Sequence, residues 1–478
     1  MSHPIKYQKW TKKDMKIFNN SLRDILHLKE PQLYYPIMSL FFYIHNTPNS
    51  HRLIDFKRNH YIKEILYYNQ IKEYNSNIVV KANTINHGKE EESMLFGKVI
   101  PLLDPIHYLL NNYNISTCRN PLLPSNYSFN TYSKINDMNN MAYLDVFFSY
   151  LASEVTIHDK NPSFPIYYGS SNGISNYIHD VSEDIDELKY HSGFKKLHKH
   201  ITIDSIDISD SDSDSDSNSD SDNSSYNSSD SDIDDCIVTI KRIPVIYLFI
   251  EKLEGTLEDI IKYELSLPVL KSCLFQITFA LIYLQKHYYF THNDLHINNV
   301  MYKTTDKPYI YYKFNNQYFK IPTYGKLFKI IDFGRSIFTY QKKTYMNDVF
   351  SKYGEAEGQY THPPQVSFLK TDLSNVVYPS YYFDLCRLAI TMIDEIRYNH
   401  DDELEESDEY QSFLEFLKYL VTDENGCRLD KEDDNFDIYI KISRTAKNTL
   451  PRDVIVNQFF HEYRVKKKQF PKSTYYSI

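Results

Sequence analysis

A long apolar helix that runs straight into a cluster of polar residues narrows the possible folds of this chain more than any other feature. Leu270, Leu274, Ile277, Leu281 and Leu284 recur at i, i+4 and i+7, which predicts a core-facing helix over Leu267–His287. Pro268 suits its first turn. Thr291–Asn299 then reads THNDLHINN, bounded by apolar Tyr288–Phe290 and Val300–Met301. Short strands are expected at Val300–Tyr302 and Leu327–Ile331, the second ending at Asp332 in FKIIDFG (Phe328–Gly334).

That order brings Asp294, Asn299 and Asp332 toward one place. One carboxylate, an amide five residues later and a second carboxylate after the next strand suit a phosphate–metal site. Phosphoryl transfer needs a carboxylate to orient or deprotonate the incoming hydroxyl. It also needs oxygen ligands for a Mg²⁺ ion that neutralises charge on the phosphates. Either motif alone would be weak; the ordered pair, each beside a strand and preceded by the helix, is specific.

The rest of the chain divides by pattern. Residues 1–65 read as a helical extension (Asp14–Leu28, Tyr34–His45). Strands are expected at Met94–Ile100, Phe164–Gly169 and Val245–Glu251, and a helix at Asn140–Glu154 with Tyr143, Phe147, Tyr150 and Leu151 at helical spacing. Further helices are expected at Phe383–Arg397, Tyr410–Leu420 and Pro451–Glu462. The fold class is α+β, strand-rich first and helix-dominated afterwards. The boundaries are 66–253 for the strand-rich part, 254–465 for the helical part and 466–478 for a tail. A Ser/Asp low-complexity insert at 203–235 lacks the apolar surface to offset ordering entropy and is expected to be disordered.

The formal net charge of −10 belongs to that insert: Asp204–Asp235 holds twelve Asp and no Lys or Arg, so the remainder carries +2. No basic surface for nucleic acid is implied. The five cysteines form no CxxC pair, which points to neither a disulfide framework nor a zinc site. No apolar signal core opens the chain, and runs such as Ile243–Ile250 are too short to span a bilayer. A soluble intracellular protein without membrane contact is expected. Asp423–Asp434 lacks calcium-loop spacing, and Arg464–Lys468 reads as a solvated tail.

HNDLHINNVMY (292–302), PTYGKLFKIIDFGRSIF (322–338) and SYYFDLCRLA (380–389) resemble the protein-kinase superfamily. The closer resemblance is to the serine/threonine-protein kinases of giant DNA viruses, which are distantly haspin-like. It covers roughly residues 66–465. It implies a bilobal fold, ATP and Mg as cofactors, a protein Ser/Thr hydroxyl as substrate, and host cytoplasm or virion as location. Asp294 matches the catalytic Asp, Asn299 and Asp332 the metal ligands, and His292 the packing His of the loop. Asp384 matches the buried Asp that accepts from the loop backbone. Lys98 matches the Lys that grips the α- and β-phosphates, with Asp145 as its acidic partner and Glu154 as the alternative. Glu251–Leu253 matches the hinge that reads adenine, after Ile250 as gatekeeper. Asn75, Ser76, Asn77 and Ile78 fall in the phosphate-covering loop.

Three departures shape the expectation. The loop at Lys72–Ala82 contains no Gly, where Gly would permit close backbone approach to phosphate. Asn293 stands where the family has an Arg that pairs with a loop phosphate, so activation by loop phosphorylation is not expected. His296 stands where protein kinases carry Lys. Two rival readings therefore stay open: a small-molecule kinase of the choline or aminoglycoside kind, and a pseudokinase acting as a binding module.

Overall fold

The computed structural model describes residues 7–9, 12–32, 54–56, 60–71, 75–113, 123–124, 132–182, 184–196, 201–205, 236–363, 375–399, 407–432 and 436–478. The expected helix at Tyr34–His45 and nearly all of the Ser/Asp insert lie outside them. Helix α1 (Lys12–Asp24) leads into β1 (Lys29–Gln32). Then come β2 (His60–Gln70), β3 (Ile78–Asn86), β4 (Lys89–Pro101), helix α2 (Met141–Ile157), β5 (Tyr167–Asp180), β6 (Ile201–Ser205) and β7 (Cys236–Glu251). These strands form one curled antiparallel sheet, ordered β1-β5-β7-β4-β3-β2 with β6 also on β7.

Alternation assigns the two faces of the sheet. Ile78, Val80, Ala82, Leu95, Val99, Tyr247 and Phe249 turn one way and pack with Phe18, Leu22, Leu26 and Leu28 from α1 and its following turn. Ile100, Ile246 and Leu248 turn the other way, onto α2 and the second half of the chain. Lys98 lies opposite Leu248 in the ladder and shares that second face.

The N-terminal segment is more than a helical extension. Leu28 presses against Gly173 of β5, where a Cβ would meet the leucine Cδ1 at 2.4 Å. That close approach seats β1 as an edge strand of the sheet, so the segment after Leu28 is extended rather than helical. Strand β2 also runs across the expected boundary at 65/66.

The second half holds α3 (Leu267–Tyr288), β8 (Val300–Thr304), β9 (Lys326–Ile330), α4 (Phe383–Tyr398), α5 (Asp408–Leu420) and α6 (Phe436–Thr445). By length and composition α3 could cross a membrane, a candidate that the short-run reading of the sequence passed over. Within the fold, 89% of its most apolar window is buried; a helix apolar all round is what a central core position requires. Strands β8 and β9 pair antiparallel, Val300 opposite Ile330. Two hairpins were not expected, Tyr309–Phe314 with Gln317–Pro322 and Ile337–Tyr340 with Lys343–Met346. The helix expected over Pro451–Glu462 stops at Val454. Asn457 caps a separate 3-10 turn there, its side chain accepting from Phe459 N.

Candidate active site

The inner face of β4 and the end of β9 meet at Lys98. Its Nζ lies 2.7 Å from Asp145 Oδ2 on α2 and 2.8 Å from Asp332 Oδ1. Burial works against the Lys98 charge, but the two carboxylates outweigh it and raise the ammonium pKa. Burial likewise opposes ionisation of Asp332, yet Lys98 holds its carboxyl at about 2. Asp145 Oδ1 also accepts from the Phe333 backbone N–H at 3.0 Å. Asp145 therefore ties α2 both to Lys98 and to the turn after Asp332. Of the two acids weighed as partners for Lys98, the structure pairs Asp145; Glu154 instead lies 3.7 Å from His158 Nδ1.

The polar loop is scaffolded from beneath. Asp384, in the first turn of α4, accepts from His292 N at 2.9 and 3.1 Å and from Asn293 N at 2.9 Å. Burial raises the Asp384 pKa. His292 Nε2–H donates to the Ile331 carbonyl at 2.9 Å, joining the loop to the strand before Asp332. Asn293 adopts φ +64° and Asp332 φ +61°. Left-handed backbone is tolerated best by Gly, Asn and Asp, which suits the residue types found here.

Asn299 is oriented by elimination. Its Nδ2 faces the Asp294 carbonyl at 2.9 Å, which only accepts, and His296 Nε2 at 2.9 Å. That nitrogen must therefore be the acceptor. A neutral imidazole accepts at one nitrogen only, so Nδ1 then carries the proton, and its 3.3 Å approach to Asn298 N is not a hydrogen bond in this tautomer. Burial lowers the His296 pKa, favouring the neutral ring. The Oδ1 of Asn299 is the end left for a ligand.

Among the described residues no cluster of three or more His, Cys, Asp or Glu could hold a metal ion. Asn299 and Asp332 would offer two hard oxygen ligands, the kind of donor that a phosphate-bound Mg²⁺ takes.

Upstream residues behave differently. Ser76 Oγ accepts from Ile178 N on β5 at 2.6 Å, and Asn77 Oδ1 accepts from Val99 N at 2.9 Å. Asn75 Oδ1 accepts from Asn77 N at 2.7 Å. Ile78 packs on the face opposite Lys98. These four side chains hold the β2–β3 turn rather than meeting Lys98. Glu251 ends β7 and Leu253 follows it, with Glu251 N bonded to the Ile166 carbonyl at 2.8 Å. The Glu251 carboxylate pairs with Lys329 at 2.8 Å.

Two neighbours of Asp294, and a carboxylate that pairs with one of them, escaped the sequence reading. Tyr439 on α6 donates its hydroxyl to Asp294 Oδ1 at 2.8 Å. Arg335 Nη1 lies 3.6 Å from the same oxygen and its Nη2 3.4 Å from Glu355. Arg335 directly follows the DFG run and was open to notice; Tyr439 and Glu355 carry no local signal.

No protein-family model matches the chain. The chain is similar to a probable serine/threonine-protein kinase of Dictyostelium discoideum, 41% identical over 91 residues. The match spans 17% of this chain and 8% of that protein. It supports a kinase-like relationship at that coarse level.

Proposed function

We propose that this chain is an ATP-dependent phosphotransferase with a bilobal kinase-like arrangement, acting on the Ser/Thr hydroxyl of a protein. The observation that carries the reading is Lys98 bridging Asp145 and Asp332 at 2.7 and 2.8 Å, beside a loop that presents Asp294 and Asn299. Lys98 would grip the α- and β-phosphates, with Glu251–Leu253 backbone reading the base. Asn299 and Asp332 would hold Mg²⁺, which supplies neutralisation of phosphate charge when bound. Asp294 orients the acceptor hydroxyl and receives its proton as the new O–P bond forms and the bond to ADP breaks.

The test is turnover of Mg²⁺–ATP with mixed hydroxyl proteins and, separately, with small amino alcohols. Protein phosphorylation that falls by several orders of magnitude in Asp294→Ala, with ATP binding retained, supports the reading. Transfer only to amino alcohols would make it a small-molecule kinase. One observation favours a binding module without turnover: the side chains of Asn75, Ser76 and Asn77 are spent on backbone partners. Absence of ATP binding at millimolar nucleotide would decide for that alternative.

A further inference from the structure

Asp294 is held at its side chain as well as its backbone. Tyr439 Oη donates to Oδ1 at 2.8 Å, and Arg335 stands 3.6 Å from that same oxygen. Among the described residues nothing hydrogen-bonds Oδ2. We propose that Tyr439 is a positioning residue for Asp294: it ties up one carboxylate oxygen and presents the other to the acceptor hydroxyl. The role rests on the phosphotransferase reading above.

The surroundings of Tyr439 argue for a fixed strut. Its ring stacks on Phe436 (5.6 Å, 15°) and leans on Phe383 (5.8 Å). The Arg387 guanidinium lies over it at 4.8 Å and that of Arg335 at 5.5 Å. A phenol clamped by two aromatic rings and two guanidinium groups has little freedom to swing as a removable plug. Phe383 immediately precedes Asp384, so one turn of α4 fixes the loop backbone through Asp384 and the Asp294 carboxylate through Tyr439. His296 is not available for this task, because its Nε2 is committed to Asn299. Arg335 and Tyr439 are the cation and the hydroxyl that stand beside Asp294 Oδ1.

Tyr439→Phe keeps the ring and its packing and removes only the hydroxyl. A hydrogen bond to a charged group is worth enough to expect a fall in kcat of about 10- to 100-fold. The KM for ATP and the thermal midpoint should stay near wild type, a split that lost packing would not give. Turnover equal to or above wild type, or an effect confined to KM for ATP, overturns the role. A second readout needs no turnover: the ¹³C-labelled ring resonance of Tyr439 in the full chain should move on Asp294→Asn, and an unmoved resonance overturns the contact. A wild-type chain that never transfers phosphate would sink the phosphotransferase reading and the role with it. A working enzyme indifferent to Tyr439→Phe sinks the role alone.

Discussion

Lys329 Nζ forms an ion pair with Glu251 Oε1 at 2.8 Å and donates to the carbonyls of Pro162 (3.1 Å) and Phe164 (2.9 Å). This buried ammonium pins the end of β7 to β9 and to the segment entering β5. Glu251 begins the stretch proposed to read the base, and the pair ties that stretch to β9. Lys329→Met leaves Glu251 without its partner. Breaking a buried pair in this way is expected to destabilise the chain by about 3–5 kcal/mol. Chemical denaturation would measure it, and adding Glu251→Gln should recover most of the loss. A single variant as stable as wild type would mean that Glu251 finds water instead.

Glu251 and Lys329 also mark what a sequence discloses. Glu251 follows an apolar run and is found by pattern. Lys329 sits in FKIIDFG like any surface-facing strand lysine, because alternation tells which face a residue takes but not what covers that face. Helix α3 and the 291–299 loop were legible because five apolar residues at helical spacing, then dense polar groups, leave few alternatives. Helix α6 was not. Its Asp437–Ser443 stretch, DIYIKIS, places Ile438, Ile440 and Ile442 at period two, the signature of a strand. The chain folds there as a helix because Ile438 and Ile442, four apart, are both buried on one side. With α6 unread, Tyr439 could not be placed near Asp294.

The Lys98–Asp332 pair predicts a definite acid response. Burial disfavours the Asp332 charge, yet Lys98 brings the carboxyl down to about 2, below the unfolded value of roughly 3.9. A depressed carboxyl stabilises the fold above the unfolded pKa, and that contribution is lost as pH falls toward 2. The Asp332 side chain is 38% exposed, so screening keeps the contribution modest. Removing the cause should reverse the shift. Lys98→Met is expected to move the Asp332 carboxyl titration, followed by ¹³C NMR, to higher pH. A titration left in place would show that Lys98 is not what holds it down.

Ser76 predicts a local effect. Its hydroxyl accepts from Ile178 N at 2.6 Å, beyond the stretch of β5 that β1 covers. It thereby satisfies an edge amide and ties the β2–β3 turn to the far side of the curled sheet. Ser76→Ala should leave global stability within about 1–2 kcal/mol of wild type. Hydrogen exchange at the Ile178 amide should accelerate roughly tenfold or more, since one hydrogen bond is worth about that factor. Unchanged exchange would show that the turn is held by Asn77 and Val99 alone. The turn would then owe its position to the β3–β4 ladder rather than to β5.

Asn293 carries the strongest prediction about control. The residue is fully buried, with its Nδ2 donating to the Arg335 carbonyl (2.9 Å) and Thr291 Oγ1 (3.1 Å) and its Oδ1 accepting from Tyr360 (3.0 Å). Neutral partners therefore join the 291–299 loop to the segment after Asp332 and to Tyr360, so no phosphate is needed to bridge them. Phosphatase treatment of active enzyme should leave turnover unchanged. Asn293→Arg would bury a guanidinium among groups that are already satisfied, a loss expected to exceed about 3 kcal/mol. Asn293→Gly and Asn293→Ala separate the two roles of the residue. Both lose the side-chain bonds, but only Ala must adopt φ +64° with a Cβ, so it should be less stable than Gly by about 1–2 kcal/mol. Equal stability of the two variants would show that the loop relaxes out of its left-handed turn once the amide is gone. The hydrogen bonds of Asn293 would then be what create the turn that aims Asp294.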